Sequence, residues 1–174
     1  ARDSSIDYFK PLQTAAIAVA RQARDECGMD SVRIAGCLPP LVGSYHPELG
    51  LDFESSLRTY RDIVAVQTPH VDLIQCETMA SVSEARAAAT AAKESGLPVW
   101  VGLTLDDENP ACLRSGEPWQ QAIGVLEAIG IDAILVNAEI TKKRSLEENR
   151  GRVSTMAMAF IHGQEWADVI SRLD

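Results

Sequence analysis

Short apolar runs that alternate with helical patterns constrain the fold of this chain more than any other feature. The runs recur about every 30–40 residues, the length of one strand–helix unit, and they span residues 32–38, 71–76, 98–104 and 132–137. They are apolar on both faces, as the strands of a parallel sheet covered by helices must be. Helical periodicity is found at residues 7–27, 54–68, 82–94 and 118–129. We therefore predict an α/β fold with four parallel strands that lie side by side in chain order.

The predicted helix at residues 7–27 has apolar residues that recur at helical spacing and define one face. This face consists of Tyr8, Leu12, Ala15, Ala16, Val19, Ala20 and Ala23. The end of the chain is different, because residues 139–152 are highly charged and 153–173 predict one amphipathic helix or two pieces divided at Gly163. A closed barrel typically has about eight parallel strands, so four strands form either an open sheet or part of a barrel. We assign residues 1–174 to a single domain.

The composition favours a small-molecule ligand. The chain has 174 residues and a formal net charge of −9 with 16 basic residues, so it lacks the basic surface of a nucleic-acid-binding protein and a polybasic membrane anchor. No apolar run approaches the roughly 18 residues of a membrane span, and no signal peptide is found at the start. We expect a cytoplasmic protein that binds neither nucleic acid nor membranes.

Four cysteines are spread over the chain, at Cys27, Cys37, Cys76 and Cys112. None of them belongs to a Cys-x-x-Cys pair, so neither a zinc ribbon nor a thioredoxin motif is present. Their spread predicts free thiols in a reducing compartment. We expect Cys27 and Cys37 to be small core residues.

The second apolar run leads into the most informative stretch of the chain. Cys76, Glu77 and Thr78 end the run, and Ser81 then stands three residues before Glu84. This spacing is typical of a capping box, in which a hydroxyl and a carboxylate satisfy free N–H groups at a helix start. Glu77 is thus predicted between a strand and its helix, at the functional edge of parallel α/β proteins. Strand alternation places Cys76 on the opposite side, as a packing residue.

Five segments of the chain share their order and spacing with one family of enzymes. They are Ala35-Gly36-Cys37-Leu38-Pro39-Pro40 with Gly43-Ser44-Tyr45, Val71-Asp72-Leu73-Ile74 with Cys76-Glu77-Thr78, Pro98-Val99-Trp100-Val101 with Thr104-Leu105, Leu113-Arg114-Ser115-Gly116-Glu117, and Leu135-Val136-Asn137. In this pattern the chain resembles the homocysteine S-methyltransferase family. The resemblance implies a TIM-type (β/α)8 barrel, of which this chain would cover about four central βα units, close to strands three to six.

The resemblance also implies a chemistry, which is methyl transfer to the sulfur of homocysteine or a similar thiol. The expected partners are therefore a small-molecule thiol and a methyl donor, and the family pattern is compatible with a homo-oligomer. In the family, zinc held by three cysteine thiolates binds the sulfur, because zinc converts a weakly nucleophilic thiol into a bound thiolate. The resemblance thus implies zinc as the cofactor and a role in methionine biosynthesis.

This sequence departs from the family at the zinc ligands. Ala138 follows Asn137 where the family has a cysteine, and no Gly-Gly-Cys-Cys segment is present. Two explanations stay open, namely segments missing from this chain and a diverged, metal-free relative. We therefore assign no metal ligand and expect that the chain binds no zinc tightly. The function is either that of an enzyme or that of a non-catalytic relative that keeps the scaffold and an amino-acid pocket.

Four residues are predicted to bind substrate, while no catalytic residue is assigned. Glu77 matches the family position whose carboxylate meets the amino group of homocysteine, since an ammonium ion requires a fixed anion. Asn137 matches the residue before the first zinc cysteine. Thr104 ends the third strand, and Tyr45 lies on the long loop at residues 39–54, where it is predicted to line a substrate entrance.

Overall fold

The computed structural model describes residues 6–137. Its helices are α1 (Ile6–Glu26), α2 (Phe53–Gln67), α3 (Val82–Lys93) and α4 (Trp119–Ile129). Its strands are β1 (Ala35–Leu38), β2 (Leu73–Met79), β3 (Val99–Thr104) and β4 (Ala133–Asn137). The predicted helix at residues 153–173 and the charged segment before it lie outside the described residues.

The four strands form one sheet in the order β1-β2-β3-β4, and every neighbouring pair is parallel. This confirms the predicted topology, although the bounds of the strands differ, most of all in β1 and β2. β1 begins three residues later than the apolar run, and β2 extends to Met79 instead of ending at Cys76. All strands therefore end at one edge of the sheet, here called the carboxyl edge, and begin at the opposite amino edge.

One face of the sheet is covered by helices and carries the hydrophobic core. Ile74, Cys76, Val101 and Leu103 alternate onto this face and are almost completely buried. Helix α3 is built largely from alanine and buries six of them, which allows its backbone to lie close to β2, α2 and α4. The packing role predicted for Cys76 is consistent with this position.

Helix α1 is amphipathic in sequence, but its predicted apolar face is not buried. Tyr8, Leu12 and Val19 are 65%, 68% and 67% exposed, whereas Ile17 is buried. The face that meets the rest of the domain includes Gln13, whose Oε1 accepts a 2.9 Å hydrogen bond from Gln67 Nε2 in α2. Periodicity alone therefore does not identify the face of α1 that contacts the domain, because polar side chains take part in this contact.

The other face of the sheet, here called the inner face, carries the residues that alternate away from the helices. They are Ala35, Cys37, Leu73, Gln75, Glu77, Trp100, Gly102, Thr104, Ala133 and Leu135. In a parallel α/β protein, a ligand binds at the carboxyl ends of the strands, so a ligand site is expected on the inner face near the carboxyl edge.

Within residues 6–137, no helix is long and apolar enough to cross a membrane.

Candidate functional site at the carboxyl edge of the sheet

A β-bulge near the end of β2 brings Glu77 onto the inner face. Cys76 pairs with Val101 and Met79 pairs with Leu103, so that two residues of β2, Glu77 and Thr78, stand opposite the single residue Gly102. Thr78 has φ 60°, which is a rare conformation for a β-branched residue and costs on the order of 1–3 kcal/mol. The extra residue returns Met79 to the buried core and leaves the Glu77 side chain exposed.

Glu77 lies beside the thiol of Cys37 on the neighbouring strand. Cys37 pairs in register with Gln75, two residues before Glu77, and both side chains point to the inner face. Burial, the charge of Glu77 and a hydrogen bond to its carboxylate together raise the pKa of the Cys37 thiol to about 12, with burial as the largest cause. Cys37 is only partly buried and lies outside the hydrophobic core, so the expectation that it is a core residue was wrong, and the exposed Cys27 is not a core residue either.

Gly102 lies opposite the bulge, where a side chain would pack against the backbone of β2. A Cβ atom at this position would lie 3.4 Å from the Cys76 carbonyl oxygen and 3.9 Å from the Glu77 Cα, which is ordinary van der Waals contact. Its φ is not in the left-handed region, so the backbone does not require glycine here. The missing side chain instead keeps the inner face free at the bulge.

Thr104 places an unsatisfied hydroxyl at the end of β3. The residue is 3% exposed, and its Oγ1 has no hydrogen-bond partner within residues 6–137. A buried hydroxyl without a partner costs about 1–3 kcal/mol, and such a group in a native protein requires an explanation. Thr104 pairs in register with Asn137 of β4, whose side chain lies outside what the structure describes.

The loop after β1 meets the loop after β3. The guanidinium of Arg114 lies 5.1 Å from the centre of the Tyr45 ring and forms a 2.9 Å ion pair with Asp107. Since β2 lies between β1 and β3 in the sheet, this contact crosses the carboxyl end of β2. Tyr45 itself has φ 67° and is about half exposed, and its role at a substrate entrance stays a prediction.

Two backbone contacts hold the loop after β3 in position. The Arg114 N–H donates to the Thr104 carbonyl oxygen at 3.1 Å, and the Ser115 N–H donates to the Ala80 carbonyl oxygen at 3.0 Å. The Glu117 carboxylate accepts a 3.0 Å hydrogen bond from the Val82 N–H at the start of α3. This loop therefore bridges the carboxyl ends of β2 and β3, directly above the bulge.

The helix that follows Glu77 begins with half of the predicted capping box. The Ser81 hydroxyl accepts a 3.3 Å hydrogen bond from the Glu84 N–H. The carboxylate of Glu84 is partly buried beside the Tyr60 hydroxyl, and this burial raises its pKa, although hydrogen bonds from the backbone of Ala80 and Leu41 oppose the shift. Glu84 also lines a small cleft between the loop after β1 and the first turns of α2 and α3, on the helix side of the sheet.

The cysteines of the described region do not fit a zinc site. Cys37 lies on the inner face, whereas Cys76 is buried on the helix face, where desolvation raises its pKa. A zinc ligand must be a thiolate, and the raised pKa of Cys37 favours the protonated thiol instead. In the part of the chain that the structure describes, no three Cys, His, Asp or Glu side chains converge as a metal site would require.

The geometry thus brings together Glu77 and Thr104 near the end of β2 and β3, with Tyr45 in the loop above them. Sequence reasoning missed two neighbours, Cys37 and Arg114. Strand alternation places Cys37 on the face of Glu77, once β1 is paired with β2 in the observed register. Arg114 was part of a recognised segment, but its position depends on tertiary contacts between loops.

Comparison with known proteins identifies the family. The sequence model of the family described as homocysteine S-methyltransferase matches residues 2–148 of this chain, which is well over half of its length. The chain belongs to the homocysteine S-methyltransferase family. The resemblance found in the five sequence segments is therefore confirmed at the level of the family. A comparison with curated protein sequences finds no match.

Two solved structures share the fold of this homocysteine S-methyltransferase family member. The apo form of the Escherichia coli homocysteine methyltransferase MmuM superposes with a TM-score of 0.66 and 23% sequence identity, over 79% of this chain and 52% of that chain. Its metallated form gives a TM-score of 0.65 and 24% identity, over 74% and 49%. The chain therefore spans about half the length of the enzyme it matches, and its sheet has part of that TIM-type fold.

Proposed function

We propose that this protein binds the amino group of an amino-acid thiol, such as homocysteine, at Glu77 and acts in methyl transfer to the sulfur of that thiol. The observation that carries the proposal is the β-bulge, which presents a carboxylate at the carboxyl edge of the sheet at the cost of an unfavourable Thr78 conformation. Strain of this kind clusters at functional sites. Family membership supports the class of ligand and reaction.

The residues around Glu77 support a ligand with both polar and apolar parts. Gly102 has no side chain on the inner face opposite the bulge, and the Thr104 hydroxyl is a buried donor and acceptor without a partner in the described region. The neighbouring Cys37 keeps its proton, because burial and the charge of Glu77 raise its pKa to about 12. It can then donate to the carboxylate and hold it in place for an ammonium group.

Zinc is implied by the family, and a relative is known in a metallated form. The described cysteines do not fit this metal, and residue 138 is alanine. We therefore assign no catalytic step to zinc in this chain. The poor fit of the described cysteines to zinc favours a second candidate function, that of a relative which binds an amino-acid thiol without transferring a methyl group.

The substitution Glu77→Gln tests the binding proposal. Glutamine keeps the size and one acceptor oxygen but removes the charge that pairs with an ammonium group. We expect the dissociation constant for L-homocysteine to rise at least tenfold, which corresponds to about 1.4 kcal/mol, while the thermal midpoint stays near that of the parent. Isothermal titration calorimetry measures the former and circular dichroism the latter.

A matched control is Glu127→Gln on α4, where the glutamate is also exposed but lies far from the bulge. Equal homocysteine affinities in the parent and Glu77→Gln would contradict the proposal, and a large loss of thermal stability would make Glu77 a structural residue. Methionine formation from homocysteine with betaine or S-methylmethionine, measured by mass spectrometry, separates the two candidate functions. Binding without methionine formation would favour the non-catalytic one.

A further inference from the structure

The bulge in β2 requires support from outside the strand. Thr78 keeps φ 60°, and a β-branched residue keeps such a conformation only where the surrounding structure determines it. On the helix side, burial of Met79 favours the bulge, because the extra residue places this side chain in the core. Beyond the carboxyl end of β2, further contacts come from the loop after β3.

A tight turn in the loop after β3 supplies these contacts. It consists of residues 113–117 and is here called the strap. The Leu113 N–H donates to the Glu117 carbonyl oxygen, and the Gly116 N–H donates to the Leu113 carbonyl oxygen, both at 2.8 Å. Gly116 has φ 84°, which glycine adopts without strain. Since the Leu113 side chain is 0% exposed, the strap is a closed turn that is anchored in the core.

Two adjacent residues of the strap bind the two strands that form the bulge. The Arg114 N–H donates to the Thr104 carbonyl oxygen at 3.1 Å, at the end of β3. The Ser115 N–H donates to the Ala80 carbonyl oxygen at 3.0 Å, directly after β2. The strap therefore ties both strands together just past the bulge.

These two hydrogen bonds match only the bulged register of β2 against β3. Met79 pairs with Leu103, so the next residues along, Ala80 and Thr104, are level with each other. Without the extra residue in β2, Ala80 would be level with Leu105. Adjacent N–H groups of the strap could then not bind the Ala80 and Thr104 carbonyl oxygens in the same way, so the strap favours the register that contains the bulge.

Glu117 adds the only side-chain acceptor by which the strap binds the start of α3 in the described region. Its Oε2 accepts a 3.0 Å hydrogen bond from the Val82 N–H and a 2.7 Å hydrogen bond from the Ser115 hydroxyl. Val82 is the first residue of α3, where N–H groups lack partners within the helix and a negative charge is favourable. Glu117 therefore fixes the strap to the far side of the turn between β2 and α3.

We propose that Glu117 is a positioning residue which, through the strap, keeps β2 in its bulged register and so holds the Glu77 carboxylate beside Cys37. It acts through the backbone of Ala80 and Val82 and requires no contact of its own with Glu77. The carboxylate is then in place before a ligand arrives, which reduces the cost of binding. This consequence for the ligand rests on the proposed function, whereas the placement of Glu77 does not.

The reactivity of Cys37 reports the position of Glu77. The charge of Glu77 and a hydrogen bond to its carboxylate both raise the pKa of the Cys37 thiol, and only the thiolate reacts with iodoacetamide. In Glu117→Ala we expect Cys37 to be alkylated about threefold faster or more at pH 8, measured on the full chain by mass spectrometry of its peptides. Glu117→Gln keeps an acceptor for the Val82 N–H without the charge and should show a smaller increase.

A double-mutant cycle separates positioning from general loosening of the sheet. Glu77→Gln removes the charge through which Glu117 is proposed to act, so adding Glu117→Ala to it should leave the Cys37 rate within about twofold. A loosened sheet would instead accelerate Cys37 with or without the Glu77 carboxylate. It would also accelerate Cys76, which is 0% exposed on the helix face of β2.

Matched variants complete the experiment. Glu54→Ala removes another exposed glutamate from the first turn of a helix, α2, and should leave the Cys37 rate unchanged. If circular dichroism shows that Glu117→Ala does not fold, Ser115→Ala decides, because it removes only the hydroxyl that donates to the Glu117 Oε2 and keeps the backbone bond to Ala80. A faster Cys37 that depends on the Glu77 carboxylate is still expected.

The outcomes distinguish this inference from the proposed function. An unchanged Cys37 rate in Glu117→Ala overturns the inference, and so does an equal acceleration in the parent and Glu77→Gln backgrounds, which would make Glu117 a purely structural residue. Calorimetric titration of the same variants with L-homocysteine tests the function separately. A parent that binds no homocysteine overturns the proposed function, while a Cys37 acceleration that depends on Glu77 would still support the role of Glu117.

Discussion

At the scale of single residues, the pair formed by Cys37 and Glu77 determines what the thiol can do. A thiol with a pKa of about 12 is almost fully protonated at neutral pH, so it is a poor nucleophile and a poor metal ligand. It is instead a hydrogen-bond donor. Cys37 therefore acts as a donor to the carboxylate of Glu77 beside it.

The reactivity of Cys37 provides a direct test of this contact. At pH 8, we expect iodoacetamide to alkylate the exposed Cys27 at least tenfold faster than Cys37, because only the thiolate reacts and the Cys37 pKa lies well above this pH. In Glu77→Gln, the negative charge is lost, the pKa of Cys37 falls toward its ordinary value, and Cys37 should react severalfold faster. Mass spectrometry of the alkylated peptides measures each site separately.

The rate at Cys27 is the internal reference, since this residue lies at the end of α1 and should be unaffected by Glu77→Gln. The same substitution at Glu127 should alter neither rate. An unchanged Cys37 rate in Glu77→Gln would mean that the carboxylate does not contact the thiol, and a Cys37 that reacts as fast as Cys27 in the parent would contradict its raised pKa.

At the scale of elements, α1 and α3 show why sequence predicts one helix better than another. For α3, the cap at Ser81 and the run of alanines specify both its start and its burial, because small side chains suit a helix that is enclosed by its neighbours. For α1, the apolar face defined by periodicity is exposed. A helix at the end of a sheet has one neighbour, and its orientation depends on contacts such as that between Gln13 and Gln67.

The close packing of α3 predicts a sensitivity to added volume. Ala88 is completely buried, so Ala88→Leu inserts three carbon atoms where α3 meets its neighbours. Overpacking of this kind costs about 1–3 kcal/mol. Ala18→Leu on the exposed side of α1 makes the same change in chemistry and should stay within about 0.5 kcal/mol of the parent.

Urea denaturation followed by circular dichroism measures the free energy of unfolding of both variants. Both substitutions exchange alanine for another good helix former, so helix propensity contributes little to the difference. An Ala88→Leu variant as stable as the parent would mean that α3 can move away from the sheet, which its buried face does not lead us to expect.

The bulge in β2 shows a different limit of prediction. The position of Glu77 before Ser81 predicted that it lies near a strand end, and Glu77 lies two residues before the end of β2. The strand, however, continues to Met79, because one extra residue restores the alternation that buries Met79. No local pattern at Thr78 indicates φ 60°, since threonine is disfavoured there, and only the pairing with β3 makes this conformation necessary.

At the scale of the whole molecule, the chain covers about half of each enzyme structure that it resembles. The order of the strands was predictable because consecutive parallel strands connected by helices usually lie side by side. The metal chemistry was not transferable in the same way. The metal chemistry that the resemblance implies depends on a few individual residues, and Ala138 stands where the resemblance implies a cysteine.

The metal content of the purified protein tests this departure. We expect substoichiometric zinc after dialysis against metal-free buffer, because the four cysteines lie on different elements and tetrahedral zinc requires convergent ligands at about 2.0–2.3 Å. Addition of a chelator should then leave the thermal midpoint unchanged. Elemental analysis by plasma mass spectrometry provides the measurement, and one zinc ion per chain would contradict the expectation.

The hydrogen bonds that tie the loop after β3 to Ala80 and Val82 also impose an order in time. The partners in the second contact, Val82 and Glu117, are 35 residues apart in the chain, and such non-local closures form only after the intervening elements are in place. We therefore expect this edge of the sheet to assemble late in folding. We also expect it to open on gentle warming before the helices unfold.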